Sequence, residues 1–206
     1  MLAQVLITVL LLGDSQTNGD MGMLLQQHYE NHGVHVIREA AGGKGVNYFL
    51  SATRPPASRK DEKLTVSARQ KTRIRHVLKD NVEYIIFGSL GGNDAVPGCC
   101  HGKNRAKLLA RYKRLYKQLC SYNAIVIFNG SPIAQKRRLR KFDKRRALVD
   151  QIQKEAALGT CVIHNSVRGM SIPPDPDGYH YNKSARLYVE YLMELDGMML
   201  PIVEAN

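Results

Sequence analysis

The feature that most constrains the fold is an alternation of short apolar runs with amphipathic stretches, repeated five times along the chain. The apolar runs are continuous, as in "VEYIIFGSL", and such runs are typical of strands in a parallel sheet that is covered on both faces. Because parallel strands need crossover connections, the amphipathic stretches are predicted to be helices lying on those faces. We therefore predict an α/β fold around a parallel sheet. Its strands are predicted at Gln4–Leu12, Val34–Arg38, Val82–Leu90, Ala124–Gly130 and 161–166.

The predicted helices follow from apolar residues spaced three or four apart and from glycines that stop a helix, such as Gly33 and Gly159. With 206 residues, no internal repeat and no shift in composition, the chain is expected to form one domain over residues 1–206. Residues 53–62 are predicted to form a surface loop. The helices are predicted at Asp20–Asn31, Leu64–Leu78, Arg105–Cys120, Lys144–Leu158 and Lys183–Leu195.

The net charge of +12 is high for this length, and its excess is concentrated in three segments. They lie within residues 53–76, in "KNRAKLLARYKRLYK" from Lys103, and in "QKRRLRKFDKRR" from Gln135 to Arg146. Such charge attracts polyanions, among them acidic glycans, nucleic acid and anionic lipids, although solvated helix faces would also account for it. No nucleic-acid recognition motif is visible, and 7% aromatic residues offer no obvious stacking platform.

The four cysteines, Cys99, Cys100, Cys120 and Cys161, are too few and too scattered for a disulfide framework, so reduced thiols are expected. The adjacent pair beside His101 lacks the spacing usual in zinc sites, and neither a metal nor a cofactor is expected. The N-terminal apolar run lacks a basic segment before it and a cleavage site after it, which favours a strand over a signal peptide. The corresponding expectation is a cytoplasmic protein or a component of a larger assembly, such as a viral one.

Polar side chains follow three of the predicted strands. Ser15 lies in "GDSQTNG" after the first strand, Asn93 in "GGND" after the third, and Asp177 and His180 in "DGYHYN" after the fifth. Each motif alone is an ordinary turn. Because the carboxyl ends of parallel strands meet at one edge, the three together predict a serine nucleophile, an oxyanion donor and an Asp/His pair at one site. Asp175 is an alternative partner for the histidine, and His164 is a second-choice pocket residue.

Through these three motifs and their order, nearly the whole chain resembles the SGNH (GDS-type) hydrolase family of esterases and lipases. The resemblance implies a three-layer α/β/α, flavodoxin-like fold and a triad of Ser15, Asp177 and His180. It also implies an oxyanion hole formed by Ser15, Asn93 and a glycine of "AAGGKGVN". Gly45 matches that glycine best, and Gly42 and Gly43 are the alternatives.

The substrate class is read from the loops expected to line the pocket, which are polar and contain no aromatic or leucine-rich lid. They favour a short acyl group, such as an acetyl on a carbohydrate, over a long fatty chain. We therefore expect a carbohydrate O-deacetylase that acts on a glycan or cell-envelope polymer, with an anionic polysaccharide among the candidate partners. A lipase or thioesterase is one alternative, and a non-catalytic binder of nucleic acid or another polyanion is a second. The oligomeric state is left open.

Overall fold

The computed structural model describes residues 7–54, 66–80 and 82–195. These contain a five-stranded, all-parallel sheet in the order β2-β1-β3-β4-β5. The predicted fold class is thereby confirmed. The strands are β1 (Thr8–Gly13), β2 (His35–Ala40), β3 (Tyr84–Ser89), β4 (Ile125–Asn129) and β5 (Val162–Asn165).

The described residues also contain seven helices, of which the last follows the final strand. They are α1 (Ser15–Asn18), α2 (Asp20–Glu30), α3 (Val46–Ala52), α4 (Val66–Val77), α5 (Gly102–Leu119), α6 (Arg140–Ala157) and α7 (Ala185–Glu194). Short 3₁₀ turns lie at Gly92–Asp94, Arg137–Leu139 and Val167–Gly169. No described helix is both long and apolar enough to cross a membrane. The loop predicted at 53–62 falls mostly outside the described residues.

Two hydrophobic clusters make the three layers. One lies between the sheet and helices α3 to α6, and it contains the rings of Phe49, Phe87 and Phe128, in which Phe87 contacts the other two. The other lies between the opposite face and helices α2 and α7, around Leu11 and Tyr188. The central strands β1 and β3 are apolar along most of their length because both faces of the sheet are covered there, which removes the alternation seen in half-exposed strands.

The strand order changes direction between β1 and β3. The chain runs outward from β1 to β2 and then returns across β1 to build β3, β4 and β5 on the other side. In open parallel sheets, ligands bind at the carboxyl ends of the strands beside such a reversal. Ser15 follows β1 and Asn93 follows β3, so both lie next to it.

The expectation of four reduced thiols is wrong for this structure. Cys120, just after α5, and Cys161, just before β5, form a disulfide with their Cα atoms 5.7 Å apart. This separation lies within the range that a disulfide spans, and the sequence spacing could not reveal it because packing of α5 beside β5 creates it. Cys99 and Cys100 are bonded to each other. Among the described residues, no group of three or more His, Cys, Asp or Glu could hold a metal ion.

Candidate active site

Ser15 is the first residue of α1, immediately after the central strand β1 ends. The backbone turns sharply at Gly13, whose φ of 155° favours glycine and whose added Cβ would lie 2.0 Å from Thr17 Oγ1. Asp14 stabilises this turn through both its backbone and its side chain. Its N–H donates to the carbonyl of Ser89 at 3.0 Å, and its carboxylate caps α1 by accepting from Gln16 N–H at 3.1 Å.

The structure brings Ser15, His180 and Asp177 into one hydrogen-bonded line. His180 Nε2 lies 3.1 Å from Ser15 Oγ, and His180 Nδ1 lies 2.5 Å from Asp177 Oδ2. With a proton on Nδ1 directed at the carboxylate, Nε2 is free to accept the serine hydroxyl. This is the spatial order in which a base activates a nucleophile and a carboxylate orients the base.

The carboxylate of Asp177 is held in its ionised form by its own loop. Partial burial works toward a higher pKa, but two backbone N–H groups and the His180 ring outweigh it and lower the pKa to about 2. Those N–H groups belong to Tyr179 and His180, and they donate to Oδ1 at 2.9 and 3.0 Å. Oδ2 therefore remains for the imidazole.

Asp175, the alternative partner for His180, has a different set of contacts. Its carboxylate accepts from the backbone and side chain of Asn182, both at 3.0 Å, and from Lys183 N–H at 2.9 Å. These bonds join residues within one loop, and the backbone N–H of Asp175 also donates to the carbonyl of His180. Asp175 thus shapes the loop that presents the imidazole without touching the ring.

The loop of residues 173–182, which carries His180 and is called the histidine loop, is also hydrogen-bonded to the serine turn at residues 13–16. Gln16, which is buried, donates from Nε2 to the carbonyl of Tyr179 at 2.5 Å. On the far side, the Tyr181 hydroxyl donates to the carbonyl of Ile133 at 2.6 Å. Because these bonds attach the loop to the elements after β1 and β4, the separation of Ser15 and His180 is fixed by more than their own contact.

Asn93 and Gly45 lie on two loops that bond to each other. Asn93 Nδ2 donates to the carbonyl of Lys44 at 3.1 Å, and Asp94 accepts from Val46 N–H at 3.0 Å. Gly45 is the N-cap residue of α3 and packs so closely on Asp94 that an added Cβ would lie 2.3 Å from Oδ1. An amide nitrogen has two hydrogens, so Asn93 keeps one donor for another acceptor.

The other two glycines of this loop differ in environment. Gly42 and Gly43 are exposed, and an added Cβ would meet nothing within 4 Å at either position. Within the described residues, the backbone N–H groups of Ser15 and Gly45 donate to no other group. Both are therefore available as donors beside the serine turn and the asparagine loop.

A buried polar cluster lies beneath the site. Asp14, Arg146 and Ser131 are each at most 3% exposed. Arg146 Nε donates to Ser131 Oγ at 2.8 Å, and a Cβ on Gly92 would lie 3.1 Å from that oxygen and 3.7 Å from Asp14 Oδ2. Burial raises the pKa of Asp14 to about 6, although the Gln16 N–H and the charge of Arg146 oppose the rise. The cluster thus adjoins both the serine turn and the asparagine loop.

These buried residues were not identified from the sequence. Arg146 ends a run of cations that was interpreted as surface charge, but its side chain is buried and its own pKa is lowered by that burial. Its position among apolar residues of α6, three before Val149, was the available signal.

His164, the second-choice pocket residue, lies on β5 against Asp150 at 3.3 Å and against the Phe128 ring. It is not part of the Ser15–His180 arrangement.

Comparison with known proteins supports the fold. No family model and no curated protein matches the chain. Among solved structures, LAE5, an α/β hydrolase enzyme from the metagenome of Lake Arreo, matches with a TM-score of 0.63 and 12% identity over 90% of this chain and 93% of its own. A catalytic mutant of Axe2, an acetylxylan esterase from Geobacillus stearothermophilus, matches with a TM-score of 0.62 and 13% identity over 91% and 92%.

A third similar structure is a carbohydrate acetylesterase family member from Sinorhizobium meliloti, with a TM-score of 0.59 and 18% identity over 92% of this chain and 96% of its own. These likenesses extend over nearly the full length of each protein, and they establish architecture rather than chemistry because the identities are low. The chain has the fold of SGNH-type esterases, as its resemblance to the SGNH hydrolase family implies.

Proposed function

We propose that this chain is a serine esterase that hydrolyses a carboxylic ester through an acyl-enzyme intermediate. The observation that carries the proposal is the hydrogen-bonded line from Ser15 through His180 to Asp177. It lies at the carboxyl edge of the sheet beside the change in strand order. Esterases recur among the solved structures with the same fold.

The proposed chemistry uses His180 first as a base and then as an acid. As Ser15 Oγ attacks the ester carbonyl, its proton passes to Nε2, and Asp177 stabilises the imidazolium. Collapse of the tetrahedral intermediate breaks the bond to the leaving alcohol, which receives the proton from Nε2. A water molecule then gives a proton to the same nitrogen, attacks the acyl group and releases the acid, with the proton returning to Ser15.

The negative charge that develops on the carbonyl oxygen needs donors on one side of Ser15. We assign this role to the backbone N–H groups of Ser15 and Gly45 and to the second amide hydrogen of Asn93. The bond from Asn93 to the Lys44 carbonyl joins the asparagine loop to the glycine loop, so two of the three proposed donors lie on loops that are held together.

The proposed substrate is a short acyl ester, with an acetyl group on a carbohydrate as the first candidate. The loops at the carboxyl edge are polar, and the position beside the oxyanion loop is occupied by the exposed Lys44 rather than by an apolar lid. A lipase or thioesterase would need an apolar surface for a long chain. The names of two similar structures, an acetylxylan esterase and a carbohydrate acetylesterase, point the same way.

The test is turnover of p-nitrophenyl esters of increasing acyl length by the wild type and by Ser15→Ala. We expect hydrolysis of the acetate, a steep decline toward long chains, and loss of all turnover above background in Ser15→Ala. Ser121→Ala is the matched control, because that serine is exposed and lies in the turn after α5. Equal turnover by Ser15→Ala and Ser121→Ala would contradict the proposal.

The density of cations favours a second candidate function, a non-catalytic binder of polyanions. That reading predicts retention on a polyanion with no turnover of any ester. It gives no reason for a serine hydroxyl to be bonded to an imidazole that is itself bonded to a carboxylate. The ester series above separates the two candidates.

A further inference from the structure

Helix α5 displays one uninterrupted strip of positive charge. Its 18 residues include no Asp or Glu. Residues spaced by three or four lie on the same face of a helix, and the exposed cations here follow that spacing over about 21 Å of helix. We call this set the α5 strip: Lys103, Lys107, Arg111, Arg114 and Lys117.

The α5 strip is electrostatically unfavourable for the folded chain alone. Each neighbouring pair along it consists of like charges at i,i+3 or i,i+4, and each such pair costs about 0.2–0.5 kcal/mol. Within the described part of the chain, no residue of the strip forms an ion pair; the only α5 cation that does is Arg105, with Glu155 of α6. A solvated helix face would relieve this repulsion with interspersed acids, so solubility alone does not explain the strip.

A second group of cations lies where helix α6 begins. Arg138, Arg140 and Lys141 are exposed around its N-terminus, the positive end of the helix dipole, which disfavours cations. The acid in the first turn, Asp143, is already bonded to Arg168 and to the N–H of Ala134. Helices α5 and α6 pack beside each other, so the two groups belong to the same side of the molecule.

This positive side reaches the candidate active site. Arg138 Nη2 lies 3.5 Å from the carbonyl of Asp177, and the Lys136 stem packs against Gly178, two residues before His180. On the opposite side of the site, Lys44 is exposed directly beside Gly45. Cations therefore flank the serine on the histidine side and on the oxyanion side.

We call Lys44, Lys136 and Arg138 the rim cations. We propose that the α5 strip and the rim cations together bind an anionic polysaccharide and hold it across the site, so that the substrate is an esterified acidic glycan. The inference rests on the proposed esterase function. It explains why unfavourable charge is concentrated on α5 and at the start of α6, because a bound polyanion neutralises both. The chain distributes the positive charge over several turns of helix, which suits a polymer better than a single small anion.

The chemistry of the site selects a polysaccharide over a nucleic acid. A serine esterase needs a carboxylic ester, and an O-acylated polyuronate carries esters and carboxylates on the same chain. A nucleic acid carries phosphodiesters rather than carboxylic esters, and proteins that bind single strands stack the bases on aromatic rings. The α5 strip contains no aromatic residue, and the tyrosines of this helix, Tyr112 and Tyr116, are buried.

The test compares three substrates: O-acetylated polygalacturonate, neutral acetylated xylan and p-nitrophenyl acetate. On raising NaCl from about 20 mM to about 300 mM, we expect kcat/KM for the acidic polymer to fall about tenfold, with little change for the other two. The variant Lys107→Gln/Arg114→Gln should lower kcat/KM for the acidic polymer about threefold to tenfold, through KM. The matched control is Arg69→Gln/Lys79→Gln, which removes two exposed cations from helix α4 and the turn after it, beside the edge strand β2.

The outcomes separate this inference from the proposed function. If p-nitrophenyl acetate is hydrolysed but the acidic polymer shows no salt dependence, or if both double variants behave alike, the docking surface is wrong and the esterase stands. If single-stranded DNA of equal charge inhibits more strongly than unesterified polygalacturonate at the same salt, the assignment to a polysaccharide is overturned. Loss of p-nitrophenyl acetate turnover in Ser15→Ala, with that turnover retained in both double variants, supports the esterase whatever the polymer experiment shows.

Discussion

His180 Nε2 lies 3.1 Å from Ser15 Oγ although 165 residues separate them in sequence. Ser15 follows the central strand β1, whereas His180 follows the edge strand β5, with β3 and β4 between them in the sheet. The loop after β5 must therefore return across the carboxyl edge. It is held there by the bonds from Gln16 to Tyr179 and from Gln135 N–H to the carbonyl of Gly178.

The first prediction concerns the two acids of that loop. Asp177→Asn should lower kcat by about 10³- to 10⁴-fold, because the amide cannot hold the imidazole in the productive tautomer. Asp175→Asn is the matched control, since Asp175 bonds only the loop backbone and Asn182, and it should alter thermal stability more than kcat. Steady-state kinetics on p-nitrophenyl acetate measure both. Equal losses of kcat would show that the loop, rather than the ring contact, matters.

Asn93→Ala should lower kcat by about 100- to 1000-fold with a small change in KM, because an oxyanion donor acts mainly in the transition state. Asn104→Ala is the control. It removes an exposed asparagine of α5 whose amide donates to the carbonyl of Gly98, in the same connection after β3. A loss confined to KM in Asn93→Ala would contradict an oxyanion role.

The glycine loop offers a test of which glycine matters. Gly45→Ala places a Cβ 2.3 Å from Asp94 Oδ1, so the bond between Asp94 and Val46 N–H must shift and move the proposed N–H donor. Gly42→Ala meets nothing within 4 Å. We expect about a tenfold or greater loss of kcat for the former and none for the latter, given the steep dependence of catalysis on donor position. The reverse order would transfer the role to Gly42.

The pKa of Asp14 makes a prediction about pH and stability. Burial raises it from 3.8 to about 6, so the folded chain binds more protons than the unfolded chain between these values, and Asp14 lowers stability as the pH rises through this window. Asp14→Asn keeps the oxygen that caps α1 but cannot ionise. Relative to the wild type, its free energy of unfolding should therefore rise by up to about 3 kcal/mol between pH 4 and pH 7.

Urea unfolding of both proteins at several pH values measures this difference. The wild type serves as the reference because all other titrating groups are shared. A difference between the two proteins that stays constant across the window would show that Asp14 ionises at its ordinary pKa.

The strands and the chain order of the site could be predicted because parallel strands leave a strong pattern. Apolar runs located all five strands, and because β1 and β3 are neighbours in the sheet, the rule that carboxyl ends share an edge predicts that Ser15 and Asn93 lie on adjacent loops. Helix α3 was missed. Its four preceding residues include three glycines, and Val46–Ala52 is too short to show a clear helical period.

The buried cluster and the disulfide could not be predicted for a different reason. Arg146 lies among cations in sequence, and only packing of α6 against the sheet buries it beside Ser131. Cys120 and Cys161 likewise meet because α5 ends near the start of β5. Such pairs depend on tertiary distance, which local patterns do not encode. The Asp177–His180 contact was accessible because both residues lie in one turn.

The most direct measurement of the central claim is covalent labelling with a fluorophosphonate, located by peptide mass spectrometry. If His180 activates Ser15, the wild type should be labelled at Ser15 alone, and His180→Ala should be labelled at least about 100-fold more slowly. His164→Ala, which changes a histidine of β5 outside the site, should be labelled at the wild-type rate. Labelling at another residue, or an equal rate in His180→Ala, would contradict the account.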